Sequence, residues 1–212
     1  MTNAKYARLT TGLVVAWFIF SLSTSALHVF RNDSARLGVS VGLAALIPVV
    51  AFSLWMAASA GFRRFAMSLN PRLLTLAHTW RTGGFTFLAL SAYGLLPGIF
   101  AWPAGLGDMF IGVTAPLVAW RLAQPDHKKR FLLWNALGIL DLVTAVTLGT
   151  TAGLINPHAA GMTAMTVLPL SMIPTFAVPL LLMLHIISIA QARRWPERQE
   201  SAAPGQLRPS LA

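Results

Sequence analysis

Long apolar runs separated by short polar stretches dominate this chain. Their spacing predicts six membrane-crossing helices at about 9–30, 37–60, 72–96, 104–122, 131–151 and 165–190. Each is near the roughly 20 residues that a helix needs to cross about 30 Å of hydrocarbon. The separators carry turn chemistry. Asn32, Asp33 and Ser34 follow the first run, and Leu96-Pro97-Gly98 ends the third. Asn70-Pro71 reads as an N-cap followed by proline at the first helical position. Between the second and third runs, 61–70 is basic and partly apolar, and is expected to lie at the interface.

Periodicity within the runs assigns faces. In the first, Trp17, Ser21, Ser25 and His28 follow one helical face, and small hydroxyl residues there suit helix packing in lipid. Pro48 is expected to kink the second run. An α-helix from Pro71 places Thr75, His78, Thr82 and Thr86 on one face, with Arg81 and Thr79 on its flanks. The sixth run carries Pro169, Pro174 and Pro179. Its first half is not expected to be a straight helix, and the backbone groups freed there require cover from neighbouring protein.

Composition agrees with a membrane class: 56% of the 212 residues are hydrophobic and 10% charged, against about 25% charged in soluble domains. The net charge of +10 does not indicate nucleic acid, because the basic residues fall in short clusters between apolar runs. Lys5 and Arg8, then Arg63, Arg64 and Arg72, then Arg121, Lys128, Lys129 and Arg130, and finally the tail, are all on one side of a six-span topology. The positive-inside rule puts both termini in the cytoplasm. The expected architecture is all-α: a six-span bundle over 1–192 and a disordered cytoplasmic tail over 193–212, in a cell (inner) membrane. The N-terminal run resembles a signal peptide only faintly and is read as an uncleaved span.

Candidate chemistry lies in the few polar residues within the runs. Apart from Arg72 and Arg121 at the ends of their runs, the charges there are Arg81, Asp108 and Asp141, and lipid tolerates such groups only when protein buries them. Leu73, Leu74, Leu76 and Ala77 extend the third run beyond Arg81, which favours a buried arginine over an interfacial one. Arg81 is then at a depth to pair with Asp141. Asp108, close to the expected start of the fourth run, is either a site residue or a helix cap. Gly105, Asp108, Gly112 and Pro116 repeat the spacing of Gly138, Asp141, Ala145 and Gly149, so each helix offers a face of small residues with one aspartate. His78 and His185 fall at similar depth on different spans.

The absence of cysteine excludes disulfides, thiolate metal sites and thiol nucleophiles. The sequence contains no HExxH, GxSxG, Walker loop or GxGxxG, so no enzyme class and no metal site is assigned. The leading expectation is a small transporter or membrane ligand-binding protein. Arg81 and Asp141 form its central pair, Asp108 and His78 join a proton or substrate path, and the ligand is an unidentified small molecule. Its size suggests a homodimer or a partner membrane subunit. That expectation calls for no cofactor. One alternative is a redox protein with haem b ligated by His78 and His185. The other is a structural or accessory subunit whose charges serve assembly.

Overall fold

The computed structural model describes residues 3–31, 39–155 and 161–196, and no strand occurs among them. The helices run α1 (Asn3–Ala26), α2 (Val39–Ala58), α3 (Ala60–Met67), α4 (Pro71–Leu76), α5 (Phe85–Ala92), α6 (Gly98–Arg121), α7 (Lys128–Ile155) and α8 (Val178–Arg193). A 3₁₀ stretch, Ala77–Gly84, joins α4 to α5, and a π-helical turn, Ile173–Ala177, leads into α8. Five segments are long and apolar enough to cross a membrane: α1, α2, α6, α7 and the π-turn with α8.

The surface is largely apolar, and the interior mixes apolar clusters with buried polar side chains. Phe20, Leu54, Val113 and Leu133 are each more than 60% exposed. Ser21, Ser25, Thr75, Asn135, Ser171, Thr175, His185 and Ser188 are buried. In water this inversion would cost about 25 cal/mol per Å² of exposed apolar area. In a bilayer the lipid solvates that surface, and polar and small side chains are what hold helices together. The fold is therefore that of a multi-pass membrane protein.

Several boundaries differ from those expected. Helix α1 begins at Asn3 and ends at Ala26, so His28 is beyond it, in a turn with φ 59°. Ser21 and Ser25 do face inward, and the Ser21 hydroxyl donates to the Thr175 carbonyl at 3.4 Å. The expected interfacial connector contains the short helix α3, capped by Ser59, whose Oγ accepts from Phe62 N at 3.2 Å. Phe62 and Phe65 are buried against Tyr6 of α1, while Arg64 is exposed. The helical path from Pro71 ends at Ala92 rather than Leu96, at a turn through Gly94 (φ 70°).

Helix α6 starts at Gly98, six residues before the expected start of the fourth run, and continues through Pro103 and Pro116. Helix α2 likewise continues through Pro48. The sixth run is not one helix from its start at 165. A 3₁₀ turn (Thr163–Thr166), an irregular stretch and the π-turn precede α8, and Ser171, Pro174 and Thr175 are buried, as freed backbone requires. The connector at 32–38, the loop at 156–160 with His158, and residues 197–212 of the expected disordered tail lie outside the described residues, while Arg193, the first residue of that tail, belongs to α8.

Helix α6 is central. It packs against α7 on one side and against the whole path from α4 through the 3₁₀ stretch to α5 on the other. That path is antiparallel to α6 along its length. Arg72 is over the Trp120 ring at 5.9 Å. Thr82 meets Gly112, Gly84 meets Gly105, and the Phe87 and Phe100 rings are 5.5 Å apart. Helix α8 closes the group against α7, α2 and α4, whereas α1 makes its main contacts with α3 and the π-turn.

Candidate functional site

The site is built on the 3₁₀ stretch. A 3₁₀ helix has three residues per turn, so every third side chain points the same way. The buried residues there are His78, Arg81 and Gly84, and Thr75 before them and Phe87 after them extend the column. This corrects the face expected from α-helical spacing. Arg81 shares His78's face, while Thr82 and Thr86 are only half-buried. The sequence Thr79-Trp80-Arg81-Thr82-Gly83-Gly84 contains few good α-helix formers, which eases the tighter winding.

Arg81 is 2% exposed and sits where three helices meet. Its Nε donates to Asp108 Oδ1 of α6 at 2.6 Å, and its Nη2 donates to Asp141 Oδ2 of α7. Its Nη1 reaches the Gly138 carbonyl at 3.3 Å and His185 Nε2 of α8 at 3.2 Å. Arg81 therefore answers to both aspartates. Asp108 is not a helix cap, because α6 begins ten residues earlier and the aspartate stands halfway along it. Asp141 stands halfway along α7.

Close backbone approach makes this arrangement possible. A Cβ on Gly112 would fall on the Arg81–Thr82 peptide, 2.7 Å from the Arg81 carbonyl carbon. A Cβ on Gly107 would collide with the Asp141 carboxylate, and one on Gly138 with the His185 ring. The small-residue faces thus bring the charged residues within hydrogen-bond reach.

Donor and acceptor matching fixes the state of His185. Asn135 Nδ2 donates to the Phe131 carbonyl at 2.9 Å, so its Oδ1 accepts from His185 Nδ1–H at 2.9 Å. Arginine has only donors. His185 Nε2 therefore presents its lone pair to Arg81, and the ring is neutral. His78 stacks on His185 with centroids 3.8 Å apart and planes 23° apart, and Trp134 meets both rings at 5.6 Å. Trp134 Nε1 is anchored on Thr114 Oγ1 at 2.9 Å.

This stacking corrects the haem expectation. Two histidines that ligate one iron from opposite faces must hold a macrocycle between them. Here the rings are in contact with each other, and both nitrogens of His185 are engaged. The spacing of small residues points to Gly138 but not to Asn135 or Trp134. The available signal was Asn135, a polar residue one helical turn before Gly138 in an apolar run.

Two cavities flank the charges. One, of about 180 Å³, is lined by Trp80, Arg81, Phe87, Asp108, Leu142 and Leu181, among others. The second, of about 270 Å³, lies between α6 and α7 and includes Gly107 and Asp141. The Asp108 and Asp141 side chains keep 15% and 13% exposure, against 1% for Arg81.

The fold and this buried cluster define a multi-pass α-helical membrane protein with charge held between helices. Residues 35–193 match the family model of a domain of unknown function, DUF8737, and the chain belongs to that family. Comparison with curated proteins and with solved structures gives no match.

Proposed function

We propose that this protein is a small transporter or membrane ligand-binding protein whose site is Arg81 with Asp108 and Asp141. The observation that carries this reading is a charge imbalance. One guanidinium stands between two carboxylates, and each carboxylate borders its own cavity. Inside a membrane a surplus charge calls for a counter-charge, which a bound proton or ligand supplies. The neutral His185 beside Arg81 adds no positive charge.

The chain crosses the membrane six times on this reading, with 71–92 as the sixth crossing. Support comes from the contacts between Arg72 and Trp120 at one end of α6 and Phe87 and Phe100 at the other. They are about 30 Å apart at 1.5 Å per residue of α6. A sixth crossing also gathers the basic clusters at 63–72, 121–130 and 193–194 on one side, in accord with the positive-inside rule.

The test uses the full chain in liposomes containing a pH-sensitive dye. A panel of amines, amino acids, carboxylates and sugars is added outside. The expected result is that at least one class drives a pH change that Asp141→Asn abolishes while the variant still inserts and folds. No response from any class, or an unchanged response in Asp141→Asn, refutes the reading.

A second reading, a cluster that only locks the bundle, is supported by the engagement of Arg81, which makes four polar contacts within the protein. It predicts a lower melting temperature for Asp141→Asn and no solute response from the wild-type chain.

A further inference from the structure

The 180 Å³ cavity has a chemical character of its own. Its walls include Trp80, Phe87, Leu142 and Leu181, and its polar side chains are Arg81, Thr86 and Asp108. Arg81 has little to offer a ligand. Of its five N–H groups, those on Nε, Nη1 and Nη2 make four contacts to Asp108, Gly138, His185 and Asp141. Asp108 has capacity to spare. Among the described residues its one hydrogen bond comes from Arg81 Nε, and a carboxylate offers about four acceptor sites. An occupant of this cavity therefore meets a hydrogen-bond acceptor in a cluster that carries one positive and two negative side chains. Trp80 and Phe87 line the cavity too, and aromatic rings attract a cation over their faces. The size is informative, since a cavity of about 150 Å³ accommodates benzene.

We infer that this cavity takes a primary or secondary ammonium ion on an apolar body about the size of a benzene ring, its N–H groups donating to Asp108. The inference rests on the ligand-binding reading above and names the class of ligand. An ammonium group reaches the cavity on a free amine or on a lipid headgroup.

Benzylamine is the probe, with benzyl alcohol and benzoate as its neutral and anionic counterparts. Binding to the purified full-length chain in detergent is followed by calorimetry. Benzylamine is expected to bind at least tenfold more tightly than either counterpart, and Asp108→Asn is expected to erase that preference. Ala177 also lines the cavity. Ala177→Leu fills the cavity without altering any charge, and is expected to weaken benzylamine at least tenfold. This variant carries the test if Asp108→Asn does not fold. Nanodiscs separate the two sources: phosphatidylethanolamine weakening benzylamine relative to phosphatidylcholine assigns the site to a lipid ammonium, and equal binding assigns it to a free amine.

Equal binding of benzyl alcohol, tighter binding of benzoate, or unchanged binding in Ala177→Leu overturns the inference. If benzylamine does not bind but another solute class drives an Asp141-dependent pH change, the ligand class falls and the transport reading stands.

Discussion

Replacing Arg81 with methionine tests whether one cation balances two carboxylates. Methionine roughly keeps the length of the arginine stem and removes every donor. Asp108 and Asp141 then lose the group that holds them at 2.6 Å and in direct contact, with their side chains only 15% and 13% exposed. Removing one partner of a buried pair costs about 3–5 kcal/mol, and here two carboxylates are stranded together. A single Asp108→Asn or Asp141→Asn change is milder. The amide still accepts from Arg81, so a charge-assisted bond of about 1.5–3 kcal/mol becomes a neutral one of about 0.5–1.5 kcal/mol. The surplus negative charge also disappears, and the net loss should stay near 1 kcal/mol. The triple variant Arg81→Met, Asp108→Asn, Asp141→Asn leaves no charge in the cluster and should recover most of the stability lost in Arg81→Met. Denaturant unfolding of the purified chains in mild detergent measures the series. A loss below about 1 kcal/mol for Arg81→Met, or a triple variant no more stable than Arg81→Met, refutes the charge accounting.

Other changes test the packing and the topology. Gly112→Ala should destabilise by about 1–3 kcal/mol or more, because its Cβ meets the Arg81–Thr82 backbone and not a flexible side chain. Gly83→Ala, in the 3₁₀ stretch with no atom within 4 Å of the new Cβ, should be neutral or stabilise by up to about 1 kcal/mol; thermal melts of the two variants compare them. Ser59→Ala should cost about 1 kcal/mol by uncapping α3, read in the same melts. The chain has no cysteine, so single cysteines report topology cleanly. Ser68→Cys and Asp126→Cys should react with an impermeant thiol reagent from one side of the membrane, and Tyr93→Cys from the other. Labelling of Ser68→Cys and Asp126→Cys from opposite sides would rule out the sixth crossing.

The long apolar helices were legible because a bilayer imposes a length. A run of 20 apolar residues has few other ways to satisfy its backbone. Their ends were less legible, and Asp108 shows why. Trp102-Pro103 reads as a break, so a start at Ala104 makes Asp108 a cap. Proline does not always stop a helix, however: Pro103 removes one backbone bond, the one to the Ile99 carbonyl, and the helix runs on through it. Helix α6 begins at Gly98 and carries Pro103 within its first two turns. That shift of six residues moves Asp108 from the membrane edge to the middle of the helix, and from a cap to a ligand of Arg81.

The third run misleads for a different reason. Reading it with a period of 3.6 separates His78 from Arg81 and groups His78 with Thr82. From Thr75 to Phe87 the buried residues are Thr75, His78, Arg81, Gly84 and Phe87, a period of three. Hydrophobic contrast is a poor guide in this stretch, because both lipid-facing and buried positions include polar and small residues. At 100° per residue, three residues fall 60° short of a full turn, so His78 and Arg81 would drift apart around the axis. The 3₁₀ winding keeps them in one column, His78 against His185 and Arg81 against both aspartates. Gly105 and Gly112 of α6 receive the backbone of that column. The irregular segment is thus the element that assembles the charged cluster, and the regular helices on either side supply its carboxylates.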